Sequence, residues 1–490
     1  MAPTARRPMS LTRRELLGTV GRWGVGVAGF SGGASPFART GPAHAAPRTI
    51  TLEARVMTWE LSPGKKVMAM GYNGRVPGPE IRAREGERLR IAVQNLLPEP
   101  TSVHWHGLEV PHAMDGVGGL TQKPIASGES FVYEFDARPA GTRWYHTHVE
   151  EHRQMDMGLA GPFIIEPATA EPMAADREIT LMLDDWRTGT GAPVPPTHDG
   201  IGAFRRRAPR AGGSGHAIEG DHAATYDTMT INGKAYPATE PLRLTRGERV
   251  RLRLVNASAE HTHVVRVAGH RLHVTHTDGN ALEAPVEVDA VPIAPSERYD
   301  AVVVADRPGA WWLECLQPGH ADAGERMLVV YAGHEQHAPG RDTEPPDNLR
   351  LWHYALGRGR PRVAPVTGTV REVEMALAGG LDGNNRWTIN GRAFPDTERL
   401  ALRRGDAARI QFVNVSHDAH PMHLHGQSFK VLGVGRGRLA RPLVKDTVDV
   451  EPHMSSVTVE VTASNPGTWL LHCHKPTHME GGMMALVDVT

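Results

Sequence analysis

Along most of the chain apolar side chains alternate with charged ones in short runs. Arg88-Leu89-Arg90-Ile91-Ala92-Val93 and Arg249-Val250-Arg251-Leu252-Arg253-Leu254-Val255 place an apolar residue at nearly every second position. Successive strand residues face opposite sides, so a period of two predicts half-buried strands. Gly, Pro and Asn break the runs, and helical periodicity is sparse. Many short strands and few helices predict an all-β chain of antiparallel sandwiches.

The pattern is written three times, with a period near 158 residues. Tyr72-Asn73-Gly74-Arg75-Val76-Pro77, Ile231-Asn232-Gly233-Lys234-Ala235-Tyr236-Pro237 and Ile389-Asn390-Gly391-Arg392-Ala393-Phe394-Pro395 open the copies. Each continues through a strand pattern, a turn Gly (Gly86, Gly247, Gly405), another strand pattern and an Asn (Asn95, Asn256, Asn414). The copies also close alike, on Gly141-x-x-Trp144-Tyr145-His146-Thr147-His148, Gly309-x-Trp311-Trp312-Leu313-Glu314-Cys315 and Gly467-x-Trp469-Leu470-Leu471-His472-Cys473-His474. Three copies predict three domains of one fold, at 46–168, 169–335 and 336–490, behind a leader at 1–45.

The last closing strand carries the chemistry. Two His and one Cys thiolate with a long, weak axial Met form the ligand set of a blue-copper centre. Cys473, His478 and Met483 supply three of the four, and His420 is available as the second His. On a strand, His472 and His474 face away from Cys473. If they also bind metal, an electron arriving at the sulfur is a few covalent bonds from a second site. Further pairs stand at His104-Trp105-His106, His146-Thr147-His148 and His423-Leu424-His425. In H-x-H on a strand both rings share one face, roughly 7 Å apart at about 3.3 Å per residue, which suits ligands to two adjacent metals. Eight paired imidazoles are more than a single-site electron carrier or a two-copper nitrite reductase needs. A metal-free structural relative would not need Cys473.

These motifs resemble the multicopper oxidases, of the three-domain laccase-like or copper-resistance kind. The resemblance covers nearly the whole chain after the leader and implies three consecutive cupredoxin-like Greek-key β-sandwich domains. It also implies four coppers per chain. His420, Cys473, His478 and Met483 match the type 1 site, and His104 and His423 the type 2 ligands. His106, His146 and His474 match one type 3 copper; His148, His425 and His472 match the other. Electrons from a small reducing substrate would pass through Cys473 to dioxygen, and the resemblance places a proton-supplying acid at Asp115, with Glu480 the weaker candidate.

Composition narrows the setting. The 490 residues carry a net charge of −1, which indicates no nucleic-acid partner. Residues 1–45 hold six Arg and one acid, with Thr12-Arg13-Arg14-Glu15-Leu16-Leu17 resembling a twin-arginine export signal and Ala43-His44-Ala45 a cleavage pattern. Without them the chain is more acidic, at −6. The expectation is a periplasmic or secreted monomer exported by the twin-arginine machinery, with no membrane span. Two Cys, one committed to metal, exclude a disulfide framework.

Three further expectations bear on function. Thr147 stands where a blue-site Cys would, with His152 and Met157 at plus five and plus ten, so copy one has lost such a site. Copy two echoes it in His263, Cys315 and His320, but Glu325 replaces the axial Met. The echo is read as a vestige, and no complete copper site is expected in domain two. The 18 Met are scattered and form no Met-rich insertion. The expected reductants are therefore phenols and aromatic amines reaching a near-surface His478, with cuprous-ion or other metal-ion oxidation as the alternative. Thr188–Thr225, Gly-, Ala-, Pro- and His-rich, is expected to be a long loop, and 333–348 a linker.

Overall fold

A computed structural model describes residues 47–189, 226–339, 348–360, 363–380 and 385–490. The segment read as an export leader, nearly all of Thr188–Thr225, expected to be a loop, and half of 333–348, expected to be a linker, lie outside the described residues. No helix among the described residues is long and apolar enough to cross a membrane.

Among the described residues six sheets form three pairs, each drawn from one stretch of chain. The strands from Arg48–Ser62 to Ala160–Glu166 make two four-stranded sheets; those from Arg177–Trp186 to Arg326–Tyr331, and those from Val370–Gly379 to Met484–Val489, each make a six- and a five-stranded sheet. The second and third pairs have the same strand order throughout. The fold is thus all-β, of cupredoxin-like sandwiches, and residues 46–490 form one compact unit.

The repeat motifs have identifiable work. Asn73-Gly74, Asn232-Gly233 and Asn390-Gly391 all sit at positive φ, 52°/71°, 53°/69° and 53°/75°. This is the two-residue hairpin turn that Asn-Gly favours. The Asn that ends the second strand pattern is a clamp. The side-chain amide of Asn95 donates to the Glu99 and Ile125 carbonyls, that of Asn256 to His261 and Ile293, and that of Asn414 to Asp418 and Val450. Each clamp closes the loop leading into the strand that carries His104, His263 or His420.

One expectation needs correction. Arg88–Asn95 shows the predicted alternation of burial, but Arg249–Asn256 is buried on both faces. Its polar face lies against the first sandwich. Arg253 meets Glu178, Asp300 and the Thr142 hydroxyl, while Arg251 meets Glu171. Paired Arg side chains thus occupy an interior seam where the sequence pattern suggested solvent.

Candidate metal centre

Strand register brings the His pairs together. His104 lies opposite His146 across the first sandwich's His104–His106 and Gly141–His146 strands. In the third, Met422 pairs with Cys473 and His423 with His472. The two edges meet face to face: His106 stacks on His423 at 3.7 Å between ring centroids, and His104 on His425 at 3.9 Å. Gly426 makes the turn after His425 at φ +71°, with the Trp469 indole against it where a Cβ would stand. Only Gly serves there.

All eight paired imidazoles converge at this seam, buried. Ligand atoms of His104, His106 and His423, of His106, His146 and His474, and of His148, His425 and His472 lie within 4.8 Å of one another in each group. Protein atoms hold the outer nitrogens. Nδ1 of His104 meets the Asp115 carbonyl (2.8 Å), Nδ1 of His423 the Asp446 carbonyl (2.8 Å), and Nε2 of His106 the Asp446 carboxylate (3.1 Å). The inner nitrogens, Nε2 of His104, His146, His148 and His423 and Nδ1 of His106, are buried with no protein partner among the described residues. Leaving a buried polar atom unpaired costs about 1–3 kcal/mol, so such a concentration of orphans fits metal ions. Burial, reinforced by neighbouring positive charge, holds the rings neutral, as ligands must be. His425 falls to about 4 and His474 to about 3, and His106, His146, His148, His423 and His472 are lowered as well.

On the opposite side of Cys473 a second group forms. Its Sγ lies 3.5 Å from His478 Nδ1 and 3.7 Å from His420 Nδ1, and those two nitrogens are 3.1 Å apart. Met483 is fully buried, its carbonyl accepting from the Cys473 amide. Ser416 Oγ fixes Nε2 of His420 at 2.8 Å. His478 is not at the surface as expected: it is 3% exposed, because Trp387, ninety-one positions earlier, stacks on its ring at 3.7 Å. The first copy has no such group. Thr147 Oγ1 bonds Gln154 and His152 turns outward to Glu480.

Three acids flank the paired histidines. Asp115 is fully buried with Oδ2 2.9 Å from His425 Nδ1 and Oδ1 3.3 Å from His104 Nδ1. Burial pushes its pKa up, but the two imidazoles outweigh burial and hold it below the usual carboxylate range. Asp446 likewise stays ionised: Arg298 and His423 outweigh its burial. Sequence reasoning missed Asp446, which only tertiary packing carries to His106. It also missed Glu151, which is 1% exposed, with Oε1 3.3 Å from His148 Nδ1 and neither oxygen hydrogen-bonded within the described residues. Burial, with Glu480 adding, raises Glu151 well above the usual value. Glu480, a sequence candidate, is about a third exposed and paired with His152.

A cysteine-centred donor group and an eight-imidazole cluster thus meet on one strand of a sandwich fold, a donor set that suits copper. Three profiles described as multicopper oxidase match residues 53–170, 207–337 and 369–490. Multicopper oxidase MmcO of Mycobacterium tuberculosis is 33% identical, over 87% of this chain and 84% of its own. A copper resistance protein A homolog of Pseudomonas syringae pv. tomato is 27% identical (87% and 90%), and laccase-1 of Cryptococcus neoformans var. grubii 28% (85% and 76%). The crystal structure of a multi-copper oxidase from Pseudomonas thermotolerans superposes with TM-score 0.69 at 27% identity, over 91% of this chain and 100% of that one. The chain belongs to the multicopper oxidase family, and is a copper-dependent oxidoreductase with dioxygen as acceptor.

Proposed function

We propose that the protein is an exported oxidase taking single electrons from phenols or aromatic amines and reducing dioxygen to water. In this reading His420, Cys473, His478 and Met483 hold the type 1 copper. His104 and His423 hold the type 2 copper, and His106, His146 and His474 with His148, His425 and His472 hold the type 3 pair. Copper in these groups supplies one-electron steps and a place for dioxygen. The observation that carries the reading is the position of Cys473: its sulfur joins one donor group while the flanking His472 and His474 join the other.

The chain's own groups have distinct tasks. Asp115 and Asp446 accept from the outer nitrogens of His425 and His106 and so orient them. Glu151, a buried carboxyl kept neutral, holds a proton at its Oε1/Oε2 beside His148, where four-electron reduction of dioxygen consumes protons. Trp387 covers His478, so in this reading an electron from an aromatic donor reaches the site across a buried indole and not at an exposed imidazole. Export rests on the twin-arginine-like leader.

The likeness to a copper resistance protein A homolog favours a second reading, oxidation of cuprous ion. Oxygen uptake with phenols, aromatic amines, Cu(I), Fe(II) and Mn(II) separates the two. Phenol turnover without added copper is expected. Phenol oxidation seen only with excess Cu(II), alongside far faster Cu(I) oxidation, would replace the proposal.

A further inference from the structure

The second sandwich contains a donor group in which His263, Cys315, His320 and Glu325 each present a ligand atom within 4.8 Å of the others. All four are at most 2% exposed. The group repeats the Cys473 site in detail. Ser258 Oγ fixes Nε2 of His263 at 2.7 Å, as Ser416 fixes His420. The Cys315 amide donates to the Glu325 carbonyl, and the Glu325 amide to that of His320, matching Cys473 to Met483 and Met483 to His478. Cys315 pairs with Val265 as Cys473 does with Met422. What differs is the fourth donor. Glu325 Oε2 lies 2.7 Å from His263 Nδ1 and 2.9 Å from His320 Nδ1, and Cys315 Sγ is 3.3 Å from His320 Nδ1.

The sequence reads this echo as a vestige; the structure argues otherwise. A site released from metal binding needs no fully buried carboxylate, since an apolar residue of similar volume is often as stable, yet here Glu325 is kept with Oε2 between the two imidazoles. Swapping a weak thioether for a carboxylate does not dismantle the site but changes its taste. Two neutral imidazoles, a thiolate and a carboxylate make a closed four-donor set whose two negative charges neutralise a divalent ion inside the core. Such a set suits tetrahedral zinc-type coordination, in which donors stand ~3.3–3.7 Å apart.

We propose that His263, Cys315, His320 and Glu325 form a further metal site that holds one divalent ion, zinc or cupric, in a closed structural set separate from the oxidase coppers. Binding releases the Cys315 thiol proton to solvent. The ion anchors the 258–263 segment, from which Glu260 reaches Lys475 Nζ (2.5 Å), next to His474.

Elemental analysis of the full protein, prepared with both copper and zinc salts and dialysed, tests the site. The wild type is expected to carry one metal equivalent beyond the oxidase coppers. Glu325→Gln and Cys315→Ala should each lose that equivalent while keeping blue absorption and turnover; Glu325→Gln, nearly isosteric, still reports if the Cys variant folds poorly. X-ray absorption at the edge of the extra element, zinc or copper, is expected to report one sulfur among nitrogen and oxygen donors. Wild type and both variants with identical metal content, all of it assigned to the oxidase coppers, would overturn the proposal.

Discussion

Replacing Asp115 with Asn keeps the side chain's size and removes its charge. In the native protein the carboxylate receives the Nδ1–H of His425 at 2.9 Å and lies 3.3 Å from Nδ1 of His104, all without solvent. A hydrogen bond to a charged acceptor contributes about 1.5–3 kcal/mol and a neutral one about 0.5–1.5, so the substitution removes roughly 1–2 kcal/mol of orientation from the His425 contact. At about 1.4 kcal/mol per factor of ten, turnover should fall about 5- to 30-fold, overlapping the range usual for partners of metal-bound histidines. Cys473 and its donors do not touch Asp115, so the blue absorption should stay. The imidazoles hold Asp115 below the ordinary carboxylate range. Its contribution is therefore fully present above the unfolded value of about 3.9 and is lost only as pH falls through the lower folded one. The ratio of wild-type to variant rates should then be flat between about pH 5 and 8. Oxygen uptake at saturating reductant reads it. A turnover equal to wild type would make Asp115 a mere turn residue, and a ratio that changes steeply with pH would return it to the role of proton donor that the sequence suggested.

Glu151→Gln keeps a neutral, isosteric group beside His148 but cannot release a proton; slowed dioxygen reduction with intact colour is expected, and an unchanged rate and solvent isotope effect would refute the assignment. Because burial raises the Glu151 pKa, the native acid destabilises the fold increasingly as pH rises above the unfolded value, so the Gln variant should melt no lower than wild type at neutral pH. Lys475→Met strands Glu260 and Asp418, which Lys475 Nζ meets at 2.5 and 2.8 Å; a loss of about 3–5 kcal/mol is expected in denaturant melts, and a change under 1 kcal/mol would mean that the clamp is slack. Gly426→Ala drives a methyl into Trp469 at positive φ, and should cost about 1–3 kcal/mol and disturb the seating of His425.

Where the chemistry is spaced by the strand period, the chain shows it openly. His104 and His106 share a face for the same reason that Leu89 and Ile91 do, and the Asn-Gly turns require only local geometry. The groups hidden from sequence are those that other segments deliver. Asp446 reaches His106 from 340 positions away, and Trp387, on the strand Trp387–Ile389, covers His478 in the short helix Pro476–Glu480. Arg253 reads as solvent-facing until Thr142 of the first sandwich meets it, and Arg251 until Glu171 does. Glu325 was visible only as a missing Met, because a ligand of different softness breaks the motif while keeping its geometry.

Cys473→Ser tests the central claim most directly, since this sulfur alone links the two donor groups. The variant should fold, shown by circular dichroism, because Ser differs from Cys by a single atom within a large buried core. It should lose the intense thiolate-to-copper absorption toward the red and all oxidase turnover, while electron paramagnetic resonance still shows copper at the His104–His423 group. A blue variant that still consumes oxygen would contradict the account.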